Sequence, residues 1–515
     1  MLASTAFLAA VAAAASASPL TKKAVIDDCL AAAGVPFDEK GSPQWAADAA
    51  PFNVRIPFVP VSIAAPLTTE HIRAAVGCGR DNGVKVTPKS GGHSYANFGF
   101  GGEDGHLVLE LDRMYNVTLD NATGIATVQG GSRLGHVATE LYKQGGKAIS
   151  HGTCPGVGVG GHVLHGGYGM SAHTKGLALD WLVGAKVVLA NSTVVDVSET
   201  EHPDVFWALK GAGSSFGVVS EFYFRTFDAP KEATNFAVAL QWDAAAAAVD
   251  GFKKLQAWAE TTMPNGLNMR MAISSFSTGL EGMFYGDEAG LRAALDPLLE
   301  SIRGRLTTVK TTDWLGHLQH FGNGMALDQK DNYKLQENFH SSSLYTDKLS
   351  DAQVESFVDY WYTVGKSMRR YWWIQVDLHG GKNSAIPRAA ASSSAYAYRD
   401  KLLLYQFYDL VAVSATYPKD GFAFLDQFIA NATVGMERAD RGMYFSYPDA
   451  NMGQDEAQAE YWGPNVARLQ KIKREVDPGE VFYFPQSVRP ESSPQAPQAA
   501  GTEEKGGEVM MARGA

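Results

Sequence analysis

Two glycine-dense stretches decide how this chain reads: PKSGGHSYANFGFGG at residues 88–102 and GTCPGVGVGGHVLHGGYG at residues 152–169. A glycine in a packed domain loses more backbone freedom on folding than any other residue. Such density is useful where backbone must come close to a ligand, offering amides to a phosphate or lying against a flat ring. Each stretch also holds one nucleophile among its glycines, the imidazole of His93 and the thiol of Cys154. A glycine-rich turn with a core histidine or a buried cysteine is the plain alternative for either stretch alone. The pair, set in the sequence around it, points to a ligand-binding scaffold.

Working outward, residues 25–34 read as a short helix and residues 55–64, RIPFVPVSIA, as a strand. Residues 66–83 form a helix with Thr68 as N-cap, Ile72, Ala75 and Val76 on one face, and Gly83 closing it. A strand at 84–90 completes a β-α-β unit. Strands follow at 106–114 and 124–131, and a helix at 132–146 ends on Gly145-Gly146. Beyond the second glycine stretch come an alternating hairpin (181–190 and 193–198), a helix (202–213) and a strand (216–227). Together these make an α+β unit.

From residue 229 the pattern changes. Strands at 236–242, 268–276, 280–287, 370–381 and 401–410 alternate with amphipathic helices at 291–304, 350–365 and 420–432. An antiparallel sheet backed by helices on one face is expected. One last helix spans 461–478, and residues 481–490, VFYFPQSVRP, return to the first unit. The tail from 491 to 515 is rich in Ser, Pro, Gln, Gly and Glu without an apolar stripe, so disorder is expected there.

At 515 residues the chain exceeds one core, and two domains are expected. A net charge of -11 argues against nucleic acid and anionic membrane as partners. Residues 1–18, MLASTAFLAAVAAAASAS, read as a secretory signal peptide ending in a small-x-small site. Sequons at Asn116, Asn121, Asn191 and Asn431 fit a secreted, extracellular chain. In an oxidising compartment two of the three cysteines should pair. A Cys29–Cys78 bridge would pin the segment near the mature N-terminus, which leaves Cys154 in the glycine loop. His151, His162 and His165 lack cysteine or carboxylate companions at ligand spacing, so no metal centre is expected.

Strand period separates two faces in Tyr371-Trp-Trp-Ile-Gln-Val-Asp-Leu-His379: Trp373, Gln375 and Asp377 on one, Trp372, Ile374, Val376 and Leu378 on the other. The first face reads either as an ordinary solvated sheet or as a sugar cleft, with an aromatic platform beside hydroxyl partners. Leu404, Gln406 and Tyr408 share a face on a neighbouring strand, another strand offers Arg270, and Tyr444 and Tyr447 sit in a Gly/Pro-bounded loop.

Residues 89–115, 150–169, 198–222, 372–385 and 461–478 resemble the berberine-bridge-enzyme-like FAD-linked oxidases, and among them the secreted glucooligosaccharide oxidases. The likeness runs over residues 29–490. It implies a two-part FAD-binding domain of the vanillyl-alcohol-oxidase type (24–227), a substrate domain (228–450) and a C-terminal return (451–490). It also implies FAD bound covalently, through its 8α-methyl carbon to His93 and through C6 to Cys154. Cofactor contacts then fall on Ser90, Gly91, Gly92 and Ser94, on Gly152, Thr153, Val157, Gly158, Gly161, His162 and Gly167, and on Val218 and Val219.

The reaction implied is oxidation of an oligosaccharide's reducing-end C1 hydroxyl to a lactone, with O2 reduced to H2O2, in a monomeric enzyme. The matching base is Tyr447, with Asp377 hydrogen-bonded to its hydroxyl. Tyr95, Arg270, Glu337, Trp373, Gln375, Gln406 and Tyr444 match the substrate cleft. Val157 matches a position whose small side chain admits oxygen. Ala272 departs from the pattern, for related chains carry a glutamate there, while Arg270 favours glucose-type over N-acetylglucosamine-type substrates. Oxidation of a secondary metabolite on the same scaffold, or a non-redox carbohydrate-binding protein or glycosidase, are the competing readings.

Overall fold

A computed structural model describes residues 19–330 and 335–492. The expected leader at 1–18 and the tail from 493 lie outside the described residues. The first glycine stretch leaves a small parallel sheet in which Leu107–Glu110 runs between Ser62–Ala64 and Val86–Lys89. Thr68 caps the helix Thr69–Asp81 by accepting from the His71 amide, and Gly83 leaves it in the left-handed region. Ile72, Ala75 and Val76 pack into one core with Leu107 and Leu109. Only Ser62–Ala64 of the strand expected at 55–64 pairs. Pro57 and Pro60 have no amide hydrogen to give a ladder, which explains the shortening. The Cys29–Cys78 disulfide joins the helix Pro19–Ala32 to Thr69–Asp81, as expected.

A second, antiparallel sheet has the order Val117–Asp120, Ile125–Gln129, Val218–Arg225, Leu182–Val188, Val194–Ser198. Its last two strands are the expected hairpin. The largest sheet is antiparallel and seven-stranded, in the order Gly304–Thr312, Ala233–Leu240, Thr278–Phe284, Leu267–Ser274, Tyr371–Leu378, Leu403–Val411, Asn338–Thr346. Helices Ala245–Thr261, Glu288–Ile302, Asp351–Thr363 and Asp420–Ala432 bury one of its faces, in a core shared with Trp372, Ile374, Val376 and Leu378. Its other face turns toward the glycine stretches.

Several elements escape the sequence pattern. The edge strand Gly304–Thr312 carries few apolar residues. Asn338–Thr346, with Ser341-Ser342-Ser343 at its centre, lacks an apolar run that would mark a strand, yet it is buried from end to end. The Ser341 and Ser343 hydroxyls donate to the Pro448 and Tyr444 carbonyls at 2.8 and 3.3 Å, so these serines hold the loop that carries Tyr447. Helices Ala245–Thr261 and Trp314–Phe321 were also unmarked, the first because its alanine run gives a weak stripe. The single helix expected at 461–478 is instead two, Gln454–Trp462 and Val466–Val476. Gly463 turns the chain at φ 43° and Pro464 cannot continue the hydrogen-bond ladder.

A fully buried ion pair directs the chain's return. Lys473 Nζ donates to Asp477 and to the Ser215 carbonyl, both at 2.6 Å. Asp477 in turn accepts from the Val481 and Phe482 amides at 2.8 and 3.0 Å. The Val481 carbonyl then takes a hydrogen bond from the Val86 amide at 2.8 Å, docking the segment on the parallel sheet. Asp477→Ala leaves a buried ammonium unmatched. It is expected to destabilise the chain by about 3–5 kcal/mol, read from denaturant unfolding.

Candidate active site

The two glycine stretches cross in backbone contact. A Cβ on Gly91 would stand 2.3 Å from the Gly158 nitrogen, and one on Gly158 would stand 2.2 Å from the Gly91 nitrogen. Ser90 pins the crossing, its hydroxyl donating to the Gly130 carbonyl at 2.6 Å and accepting from the Gly160 amide at 3.3 Å. Arg133 donates to the Gly91 and Gly156 carbonyls. The Gly152 amide donates to His162 Nε2 at 2.8 Å. Burial holds His162 neutral, pushed down to about 3, so its proton sits on Nδ1.

This crossing brings the two nucleophiles together: Cys154 Sγ lies 3.6 Å from His93 Nε2. The His93 ring stacks on Phe52 with centroids 4.1 Å apart. Burial, aided by the Arg133 charge, lowers its pKa to about 4, so the imidazole is neutral and nucleophilic. Both His93 and Cys154 line one cavity.

That cavity, about 810 Å³, lies between the crossing and the uncovered face of the seven-stranded sheet. Small-molecule sites span roughly 300–1,000 Å³, so it stands near the upper end. Ser90, Gly91, Gly92, His93, Ser94, Gly152, Thr153, Cys154, Val157, Gly158, Gly161, His162 and Val219 line one side of it. Gly167 and Val218 stand outside the lining. Val218 is fully buried in the core under the parallel sheet, because it points to the opposite face of its strand from Val219. Gly167 sits behind the wall, its amide donating to the Tyr444 hydroxyl at 3.0 Å. Tyr444 also accepts from the Tyr168 amide, so it braces the second glycine stretch while edging the cavity.

The facing wall follows the strand period. Trp373, Gln375 and Asp377 line the cavity, and Asp377 is only 1% exposed, which excludes an ordinary solvated sheet face. Trp373 stacks on Tyr408 at 4.7 Å, and the Tyr408 hydroxyl donates to Glu337. Gln406 donates to the Tyr95 hydroxyl at 2.8 Å. Arg270 lies in register with Asp377 on one side and with Glu281 on the other. Its Nε donates to Glu281 at 2.6 Å and its Nη1 to Gln375 at 3.0 Å.

Glu281 went unnoticed in the sequence, although a tight hairpin between the strands at 268–276 and 280–287 sets it directly across from Arg270. The cavity thus holds three carboxylates, of which Glu281 is committed to Arg270 and Glu337 to Tyr408.

Burial raises Asp377 to about 7, with Arg270 opposing, Glu281 reinforcing and the Tyr168 hydroxyl opposing. Its Oδ1 has no hydrogen-bond partner. Tyr447 stacks on Tyr95 at 6.0 Å, and its phenol is held well above its usual range by burial and then by the Asp377 charge. The hydrogen bond expected between Tyr447 and Asp377 is absent among the described residues, and the carboxylate acts on the phenol through space.

Asp377 keeps its proton to about pH 7 in the folded chain, but only to about pH 4 when unfolded. The folded state therefore holds an extra proton across that window, and its stability falls as pH rises through it. Asp377→Asn has no such linkage. Its stability is expected to gain on the wild type from about pH 4 to pH 7 by up to roughly 4 kcal/mol, read from denaturant melts at both ends.

Comparison with known proteins agrees with this architecture. Residues 60–198 match the FAD binding domain family, and residues 443–489 match the berberine and berberine-like family. The chain is 49% identical to the xylooligosaccharide oxidase of Thermothelomyces thermophilus, covering 92% of this chain and 96% of that one. It is 47% identical to the glucooligosaccharide oxidase of Sarocladium strictum, again over 92% and 96%. A solved glucooligosaccharide oxidase from Acremonium strictum, described with a 6-S-cysteinyl, 8α-N1-histidyl FAD, superposes with a TM-score of 0.89 at 46% identity, covering 91% of this chain and all of that one. The parallel sheet, the glycine crossing and the C-terminal return all fall within the matched families, and the chain belongs to the berberine-bridge-enzyme-like FAD-linked oxidases.

Proposed function

We propose that this enzyme oxidises the reducing-end C1 hydroxyl of an oligosaccharide to the lactone, reducing O2 to H2O2, with FAD held on both His93 and Cys154. The observation that carries this reading is the 3.6 Å approach of Cys154 to His93, opposite a wall of Trp373, Gln375 and Asp377. Nucleophiles at that separation can bond to two carbons on one edge of a single ring. Both glycines of the crossing line the cavity, so backbone rather than side chain meets a flat group bound there. When bound, the flavin accepts a hydride and passes two electrons on to O2.

The chain's own residues orient the sugar and move the proton. Trp373 and Tyr408 form a stacking platform, while Gln375, Gln406 and Tyr95 offer partners to sugar hydroxyls. Tyr447 receives the C1 hydroxyl proton. A phenol with so high a pKa is no base alone, so it works as a relay that gives up its own proton toward Asp377. Asp377, near 7, accepts at neutral pH.

Arg270 and Glu281, paired at the cavity wall, offer further charged partners to sugar hydroxyls. The carboxylate lost at Ala272 is replaced from the neighbouring strand by Glu281. Val157 leaves oxygen a path to the ring. The domain division belongs to the same reading: residues 24–227 with 451–490 hold FAD, and residues 228–450 hold the sugar. Secretion is supported by the exposure of Asn116, Asn121 and Asn191. No helix among the described residues is long and apolar enough to cross a membrane.

Peroxide release across cello-, malto-, xylo- and chito-oligosaccharides and lactose tests the reading. A carbohydrate-binding protein or a glycosidase would release none. Tyr447→Phe is expected to lower kcat by about 10²–10⁴-fold with the flavin spectrum intact; unchanged turnover removes Tyr447 from the chemistry. The rate should rise with pH and level off near 7, and Asp377→Asn should abolish that step.

A further inference from the structure

Behind the strand Asn338–Thr346, on the side away from the cavity, three side chains converge from separate elements. His340 comes from that strand, Asp426 from the helix Asp420–Ala432, and Asp449 from the loop that carries Tyr447. One donor atom from each lies within 4.8 Å of the other two. His340 is fully buried, and neither of its ring nitrogens has a hydrogen-bond partner. Its Nε2 faces Asp449 Oδ2 at 3.8 Å. Buried polar atoms are nearly always satisfied, so an imidazole with both nitrogens bare and one aimed at two carboxylates calls for a ligand. A cation answers both to the imidazole lone pair and to the two carboxylates beside it.

The surroundings allow a cation. Arg55 is the guanidinium whose charge reaches both His340 and Asp449. It is engaged elsewhere, donating to the Phe339 carbonyl at 2.7 Å and lying over the Tyr417 and Phe422 rings. Among the described residues it forms no ion pair with Asp426 or Asp449, and one positive charge against two carboxylates leaves the cluster negative.

We propose that His340, Asp426 and Asp449 bind a first-row divalent cation, zinc in particular. One imidazole and two carboxylates match zinc's mixed nitrogen and oxygen preference, with water completing four-coordination. Calcium would want roughly six to eight oxygen donors, which this cluster does not offer. Donor atoms around tetrahedral zinc lie roughly 3.3 Å apart, and the exposed Asp426 side chain is able to swing the remaining distance. The three residues are far apart in the chain, so no ligand spacing marks them in the sequence. None of them lines the cavity, and the site stands independently of the oxidase reading. Asp449 lies two residues past Tyr447, and the Ser341 hydroxyl already holds the intervening Pro448 carbonyl. The cation is a second tie between that loop and the sheet.

The test uses the full chain with its cofactor, stripped with EDTA, then given zinc chloride and gel-filtered. About one zinc per chain should be retained by elemental analysis, with Tm raised by about 2–4 °C under saturating zinc. Asp426→Asn changes an exposed helix residue. It should melt with the stripped wild type, while its zinc affinity falls at least tenfold. His340→Gln should also lose the zinc-dependent shift, and magnesium should produce none in the wild type. Absence of bound zinc in the wild type, or equal retention and shift in both variants, overturns the site. An equal shift with magnesium overturns the choice of metal.

Discussion

The contact between Gly91 and Gly158 is the constraint on which the rest of the site depends. Two backbone segments from distant parts of the chain approach so closely that neither position has room for a methyl group. Ser90 and Arg133 lock the crossing with hydrogen bonds to both segments. His93 and Cys154 ride on the two segments and are neighbours only because the glycines touch. The parallel sheet fixes one segment, the His162 ring fixes the other, and the buried Lys473–Asp477 pair folds the C-terminus back onto the same sheet.

Opposite the crossing, burial sets the chemistry. The seven-stranded sheet spends its helix-covered face on an apolar core, which frees the other face for polar groups shut in by the first part of the chain. In that low-dielectric space a carboxylate is costly, and Asp377 rises to about 7 although Arg270 lies across from it. The Arg270–Glu281 pair limits the rise no further because each is the other's partner. A phenol that cannot ionise alone and a carboxylate poised near neutrality form a complementary pair for moving one proton.

Much of this was legible in the sequence because it rests on local rules. The Thr68 cap, the Ile72 face and the alternation from Tyr371 to Leu378 follow from helix and strand period, and the structure keeps all three. Glycine density marked the crossing, though not which glycines touch. What stayed hidden depends on tertiary context. The serines of Asn338–Thr346 look solvated until the carbonyls of the Tyr447 loop appear above them. Glu281 gains meaning only from strand register. Val218 lies within the family's motif stretches yet points away from the cavity, since adjacent residues on a strand face opposite ways.

The most direct measurement is mass spectrometry of peptides from the acid-precipitated protein. A yellow pellet should yield one flavin mass bridging the peptide that contains His93 to the peptide that contains Cys154. Colour lost to the supernatant, with both peptides recovered at their unmodified masses, would contradict the two-point attachment.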